Sequence, residues 1–188
     1  AGVAAICIED KTFPKQNSLL KNGNNELISE QEFVAKIIAA KDAKQNDDFM
    51  IIARVEALIS GFGMEEAIKR ATAYEKAGAD AILIHSKKEN ADEIFEFADS
   101  WNGKSPLVII PTTYDSVKLS EIKKHPIKMV IYANQSLRVA HASMLSYLNK
   151  LNDADSIADV DLKLSSMEEI FELQEMYEIT NQEKNIEQ

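Results

Sequence analysis

The chain has 188 residues, 45% hydrophobic and 28% charged, which is a globular composition and the size of one ordinary domain. A formal net charge of −10 excludes nucleic acid and anionic membrane as main partners, because both require a basic face. Cys7 stands alone, so there is no intrachain disulfide or Cys-based zinc cluster; no apolar run approaches the roughly 20 residues of a membrane helix and no signal-peptide pattern opens the chain, which makes the cytoplasm the expected location.

The chain opens directly in an apolar run, Val3 to Ile8, that ends in Glu9-Asp10 and reads as a strand buried on both faces. Residues 10–28 show no usable period, contain Pro14, Gly23 and several asparagines, and read as a long loop. A structureless stretch of this length inside a compact domain is most often a lid over an active site. Ser29 to Glu32 is a capping box opening a helix with Phe33, Ile37, Ile38 and Ala40 on one face. The alternation then repeats: strand Phe49 to Ala53 ending at Arg54, helix Met64 to Ala77 stopped by Gly78, strand Ala81 to Ile84 ending at His85, and helix Ala91 to Trp101. Strand Leu107 to Ile110 ends at Pro111-Thr112, and a short helix follows from Leu119 to Lys124. Strand Met129 to Tyr132 ends at Ala133-Asn134, and a longer helix runs from about Ser136 to Leu151. Residues 152–160 read as a linker, Ser166 to Glu169 as the cap of a last helix, and Thr180 to Gln188 as a frayed tail.

Five short apolar strands, each followed by a helix, specify an α/β fold with a parallel sheet. The polar residues choose the architecture. Glu9, Arg54, His85, Thr112 and Asn134 fall at or just past five successive strand ends. A doubly wound sheet binds at one switch point, whereas a (β/α)8 TIM barrel recruits many strand ends onto one rim. The expectation is therefore the C-terminal five βα units of a barrel over residues 1–188, plus a C-terminal helix. About three units would be missing from the front, because a whole barrel runs to about 250 residues. Such a chain alone is expected to be doubtful as a catalyst.

Each strand-end group suits anion or metal chemistry, and each also has a plainer role. Glu9 is a carboxylate that either supports a cation or pairs with a lysine. The Arg54 fork matches a phosphonate or carboxylate, and equally a salt bridge to Glu56 or Glu9. His85 is placed to hydrogen-bond a moving group or to serve the core. Lys15 and Asn17, in the loop, would bring a positive charge and an amide. Gly61-Phe-Gly63 reads as a turn, Lys87-Lys88 as a solvated face, and His125 and His141 as surface residues. Ser18 has no histidine within sequence reach, so a hydrolase triad has no support.

The run Glu9-Asp-Lys-Thr-Phe-Pro-Lys15-Gln-Asn17-Ser18 resembles the signature of the phosphoenolpyruvate mutase family, within the isocitrate lyase and phosphoenolpyruvate mutase superfamily. The likeness continues through Ala53-Arg54-Val-Glu56-Ala57, Ala77 to Ala81, Ile84-His85-Ser86-Lys87 and Tyr132-Ala133-Asn134, and reaches Glu169 to Gln174. It implies interconversion of phosphoenolpyruvate and phosphonopyruvate, with formation of a carbon–phosphorus bond for phosphonate biosynthesis. It implies Mg²⁺ supported by Glu9 through water, and Lys15, Asn17, Arg54 and His85 on the substrate. The principal metal ligands of the family precede the position of Glu9. The matching Asn distinguishes the mutase from phosphonopyruvate hydrolase, so Asn17 favours the mutase. Carbon–carbon lyases of the superfamily carry a Cys in this loop, which this chain lacks. A homo-oligomer, dimer or tetramer, with exchanged C-terminal helices is also implied. Outside enzymes, the competing reading is an inactive partial barrel serving as an assembly partner.

Overall fold

A computed structural model describes residues 2–186, with side chains over 2–183. The chain divides into two compact units, Ala1–Asn134 and Gln135–Gln188. The first holds five strands: β1 Ala5–Glu9, β2 Met50–Val55, β3 Ala81–Ile84, β4 Leu107–Ile109 and β5 Ile127–Val130. Between them lie α1 Glu30–Ala43, α2 Gly63–Lys76, α3 Asp92–Ser100 and the single turn α4 Leu119–Ile122. All four strand pairings are parallel and the spatial order is the chain order, β1 to β5. The order never reverses, so the sheet has no switch point, which is the barrel arrangement rather than the doubly wound one.

The strand side chains divide by parity into two cores. Ala53, Val55, Ile82, Ile84, Leu107 and Ile109 join Phe33, Ile37, Ala67, Ala71, Tyr74, Ile94 and Phe97 of the helices in one cluster. The alternate residues Ile52, Ala81, Leu83, Val108 and Ile110 form a second cluster on the opposite face. Helices cover one face while the other packs its own layer of branched side chains, as the interior of a barrel does. Each fully buried aliphatic or aromatic side chain contributes about 1.5–3 kcal/mol. Phe33 and Tyr74 add an edge-to-face contact, with ring centroids 4.6 Å apart at 66°.

Local signals set the helix ends. Ser29 Oγ accepts the Glu32 N–H at 3.1 Å and caps α1. Gly63, at φ +82°, allows the turn into α2, and Gly78, at φ +99°, ends it, conformations that a side chain would strain.

Four expectations need correction. The first strand is not buried on both faces: Val3 is 64% exposed, Ile6 and Cys7 are exposed, and β1 pairs only with β2 among the described residues. Ile38 points outward from α1, while Phe33 and Ile37 are buried in the core and Val34 packs against it. The fifth strand begins two residues early, after Pro126, with an irregular register against β4 at Leu107/Val108, and leaves Tyr132 exposed beyond its end. The tail is helical, not frayed: α7 Met176–Ile186 follows α6 Met167–Leu173 across Glu175 at φ +55°. The last two residues of the expected frayed tail lie outside the described residues.

In the second unit, α5 Gln135–Asn152 leads to a 3₁₀ turn at Ile157–Asp159, closed by a capping box from Ser156. This turn sits inside the expected linker. Ser166 caps α6 with the expected box, accepting the Glu169 N–H at 3.1 Å.

Candidate active site

Register builds the site before any side chain is considered. Glu9 and Arg54 are Cα partners across β1 and β2. Arg54 shares parity with Ile52, and His85 with Ala81 and Leu83, so both belong to the inward series. Glu56, two residues past Arg54, continues that series just beyond the strand end.

Arg54 is the hub. Its Nε donates to Glu56 Oε1 at 2.6 Å and lies 3.4 Å from Glu9 Oε2. Its Nη2 donates to Ser18 Oγ at 3.2 Å and meets His85 Nδ1 at 2.8 Å. Glu56 Oε1 stands 3.1 Å from the same His85 nitrogen, and Glu56 Oε2 accepts from Ser18 Oγ in a short bond. With the ring proton on Nε2, Nδ1 accepts from Arg54; with it on Nδ1, the ring donates to Glu56. Lys15 Nζ pairs with Glu9 Oε2 at 3.2 Å. Among the described residues nothing bonds Arg54 Nη1, which leaves two charged N–H donors for a ligand.

A cavity of about 120 Å³ is lined by Lys15, Asn17, Ser18, Arg54, His85, Thr112 and Asn134, together with apolar neighbours. The structure thus brings Lys15, Asn17, Arg54 and His85 to one hollow, with two polar residues from later strand ends. Glu9 stands beside it, in contact with both Arg54 and Lys15. Its Oε1 is buried and has no hydrogen-bond partner among the described residues. A buried carboxylate oxygen with free lone pairs is suited to accept from the water shell of Mg²⁺, so the residue fits that supporting role. Among the described residues no three His, Cys, Asp or Glu side chains gather to hold a metal directly.

Glu56 is fully buried. Burial pushes its carboxyl up, but the His85 contact and the Arg54 charge more than reverse this, holding it at about 2 against an ordinary 4.5. A depressed acid stabilises the fold above its unfolded pKa and loses that contribution as pH falls through the folded one. The expected result in the whole protein is about 3 kcal/mol of stability lost between pH 4.5 and 2 through this group. Urea unfolding of wild type and Glu56→Gln across that window checks it: the variant should show a shallower pH slope. An unchanged slope would count against the assignment.

The loop is more ordered at its base than its sequence suggests. Lys11 and Leu27 form an antiparallel bridge, and Ile28 N–H donates to the Asp10 carbonyl at 3.0 Å. Asp10 is fully buried. It accepts from Tyr74 OH at 2.6 Å, from the Glu56 N–H at 2.9 Å and from Arg70 Nη1 at 3.1 Å. Arg70 also reaches the Ile28 carbonyl at 3.0 Å, so one helix holds both ends of the loop. Burial holds the Asp10 carboxyl above its ordinary value, and these three donors offset only part of that rise. Lys11 Nζ fills the loop interior, donating to the Gln16 carbonyl and to Asn25 Oδ1, both at 2.8 Å. Phe13 to Asn17 and Leu19 to Asn22 are exposed while Lys11, Ser18 and Ile28 are buried, so the loop is pinned at its base and at Ser18, with an exposed tip to either side of Ser18.

Asp10, Arg70 and Tyr74 escape the sequence reading, which names Ser18 only to reject a triad and Glu56 only as the salt-bridge partner of Arg54 that it proves to be. Only Glu56 carried a usable signal, since Arg-x-Glu puts both charges on one face of a strand. Ser18 takes a carboxylate and a guanidinium instead of a histidine, so it is no triad nucleophile. His125 stacks on Phe95 with centroids 3.9 Å apart and pairs with Asp99, away from the site.

A family model for phosphoenolpyruvate phosphomutase matches residues 1–152. A phosphoenolpyruvate phosphomutase of Tetrahymena pyriformis is 44% identical over 182 residues, covering 97% of this chain and 61% of that protein. A phosphonopyruvate hydrolase of Variovorax sp. (strain Pal2) is 47% identical over 175 residues, covering 93% of this chain and 60% of that protein. The crystal structure of a phosphonopyruvate hydrolase complex with oxalate and Mg²⁺ superposes with a TM-score of 0.86 at 43% identity, over 96% of this chain and 62% of that one. The chain therefore spans about three fifths of the length of the relatives it matches. On these matches and on its unreversed parallel sheet, the chain belongs to the phosphoenolpyruvate phosphomutase family of (β/α)8-type barrel enzymes.

Proposed function

We propose that the whole protein containing this chain is a phosphoenolpyruvate phosphomutase, an isomerase that interconverts phosphoenolpyruvate and phosphonopyruvate in phosphonate biosynthesis. The observation that carries this reading is that Asn17 lines the same cavity as Lys15, Arg54 and His85. The amide of Asn17 and the charges of Lys15 and Arg54 donate to phosphoryl oxygens, which is what transfer through a loose, metaphosphate-like state requires. His85 contributes its Nε2 edge to the same oxygens. The loop tip closes over them and excludes water, which would otherwise capture the phosphoryl group. Mg²⁺, when bound, supplies positive charge to the carbonyl and carboxylate oxygens of a 2-oxo acid. Glu9 supports it through water.

A hydrolase is the second reading, favoured by the 47% identity to one. Phosphorus NMR on phosphonopyruvate with Mg²⁺ separates the two. The mutase gives a phosphoenolpyruvate signal; inorganic phosphate with pyruvate would mean the hydrolase, and neither would leave the assembly reading. We also propose a cytoplasmic homo-oligomer, dimer or tetramer, with exchanged C-terminal helices. The apolar side chains that α5 leaves exposed, Leu137, Met144, Leu145 and Leu148, support the exchange. No helix among the described residues is long and apolar enough to cross a membrane.

A further inference from the structure

We infer that Glu56 is the positioning residue that couples the loop to the groups that bind the anion, through Ser18 on one oxygen and Arg54 and His85 on the other. The inference rests on the reading of Arg54 and His85 as substrate contacts. Three segments far apart in sequence meet at this one carboxylate: the loop, the end of β2 and the end of β3. Oε2 takes the Ser18 hydroxyl; Oε1 takes Arg54 Nε at 2.6 Å and faces His85 Nδ1 at 3.1 Å. The Glu56 backbone is itself fixed, its N–H held by Asp10 Oδ1 at 2.9 Å. Glu56 does not line the cavity, so it acts through its neighbours.

Each contact has a directional consequence. With Nε committed to Glu56 and Nη2 to Ser18 and His85, the guanidinium plane is set and Nη1 is what remains for a ligand. With Nδ1 committed to the Arg54–Glu56 pair, Nε2 is the ring nitrogen left for the substrate. Ser18 adjoins Asn17, so the position of the loop tip is transmitted to Glu56. Withdrawing Ser18 removes one donor from Glu56 and one acceptor from Arg54 together, leaving both buried charges less well paired. Seating the loop and aiming the guanidinium are therefore one event.

The test uses the whole protein and the variants Glu56→Gln and Ser18→Ala, single and combined. Glu56→Gln is expected to lower kcat by about a hundredfold with little change in KM, the effect of misaiming a bound group. Ser18→Ala should lower kcat by about tenfold, for the loss of its bonds to Glu56 and from Arg54. The double variant should be no worse than Glu56→Gln alone. Costs that multiply, or a Glu56→Gln enzyme at wild-type kcat, would overturn the inference. ¹⁵N NMR of the His85 imidazole gives a reading independent of turnover: Glu56→Gln should shift the ring-nitrogen pair, and an unchanged pair overturns the inference. Should Glu56→Gln not fold, Ser18→Ala still decides, because it deletes only a hydroxyl. It should speed proteolytic cleavage within residues 13–25, and unchanged cleavage argues against the coupling. Wild-type protein without mutase or hydrolase activity would sink the proposed function, while the imidazole and proteolysis readings would still judge the role of Glu56.

Discussion

Arg54→Ala is expected to cut turnover of the whole protein by about a thousandfold, the scale of removing a guanidinium from a transferring phosphoryl group. The same substitution should cost about 3–5 kcal/mol of stability. Both losses have one origin. Arg54 is the cation beside Glu56, which is fully buried, and it also lies against Glu9. Without it two carboxylates share a poorly solvated space, with Lys15 reaching only Glu9. Glu56 would then keep only Ser18 and His85 as side-chain partners, and those bonds would rearrange. Arg54→Lys separates fold from chemistry. An ammonium keeps the charge, so much of the stability should return, but it cannot span Glu56, Ser18 and His85 while offering a second nitrogen to a ligand. Turnover should stay at least about tenfold low, as expected for lost bidentate recognition. Urea unfolding and the phosphorus NMR assay measure the two effects. If Arg54→Ala retained kcat/KM within a factor of ten, Arg54 would be a structural ion-pair partner only.

The elements legible in the sequence were those whose causes are local. Parity along a strand and apolar spacing along a helix act over a few residues, so β2, β3, α2 and α3 emerged nearly at their true bounds. Strand ends carry the site in a barrel, so Glu9, Arg54 and His85 could be singled out by position. The exposed face of β1 could not be read. A run such as Val3 to Ile8 looks the same at a covered position and at an edge, and only the sheet order tells which it is. The buried network was hidden for another reason. Asp10 meets Arg70 and Tyr74 at separations of 60 and 64 residues, and Ser18 meets Glu56 at 38. No periodicity spans such distances. Ser18 has no histidine partner in the fold either; its carboxylate partner lies too far along the chain to be read. The helical tail was missed because residues 180–188 hold a single apolar side chain, Ile186, leaving no apolar stripe to announce it.

Asp10 carries the second large prediction, one of stability rather than catalysis. Its carboxyl receives three donors, and they offset only part of the burial that holds it above its ordinary value, so this pocket depends on all of them. Asp10→Ala would leave the Arg70 guanidinium, 9% exposed, with only Glu66, a carbonyl and Tyr74 for company, and would leave the proton of the Tyr74 hydroxyl without its acceptor. The expected loss is about 3–5 kcal/mol, the range for breaking a buried pair from one side. Asp10→Asn tests whether the charge or the shape matters. Its single carbonyl cannot serve Tyr74, Arg70 and the Glu56 N–H together, and its amide would point a donor at donors, so it should recover little. Tyr74→Phe removes the bonds to Asp10 and from Arg70 but keeps the Asp10–Arg70 pair and the ring on Phe33, and should cost only about 1–3 kcal/mol. The order Asp10→Ala, Asp10→Asn, then Tyr74→Phe in urea unfolding is therefore expected, from most to least destabilised. Because Arg70 also grips the Ile28 carbonyl, the two Asp10 variants should loosen the base of the loop as well as the fold, and proteolysis should then cut near residues 11 and 27 as readily as at the tip. Cleavage that stayed at the tip in Asp10→Ala would mean that the bridge between Lys11 and Leu27 holds the loop base unaided.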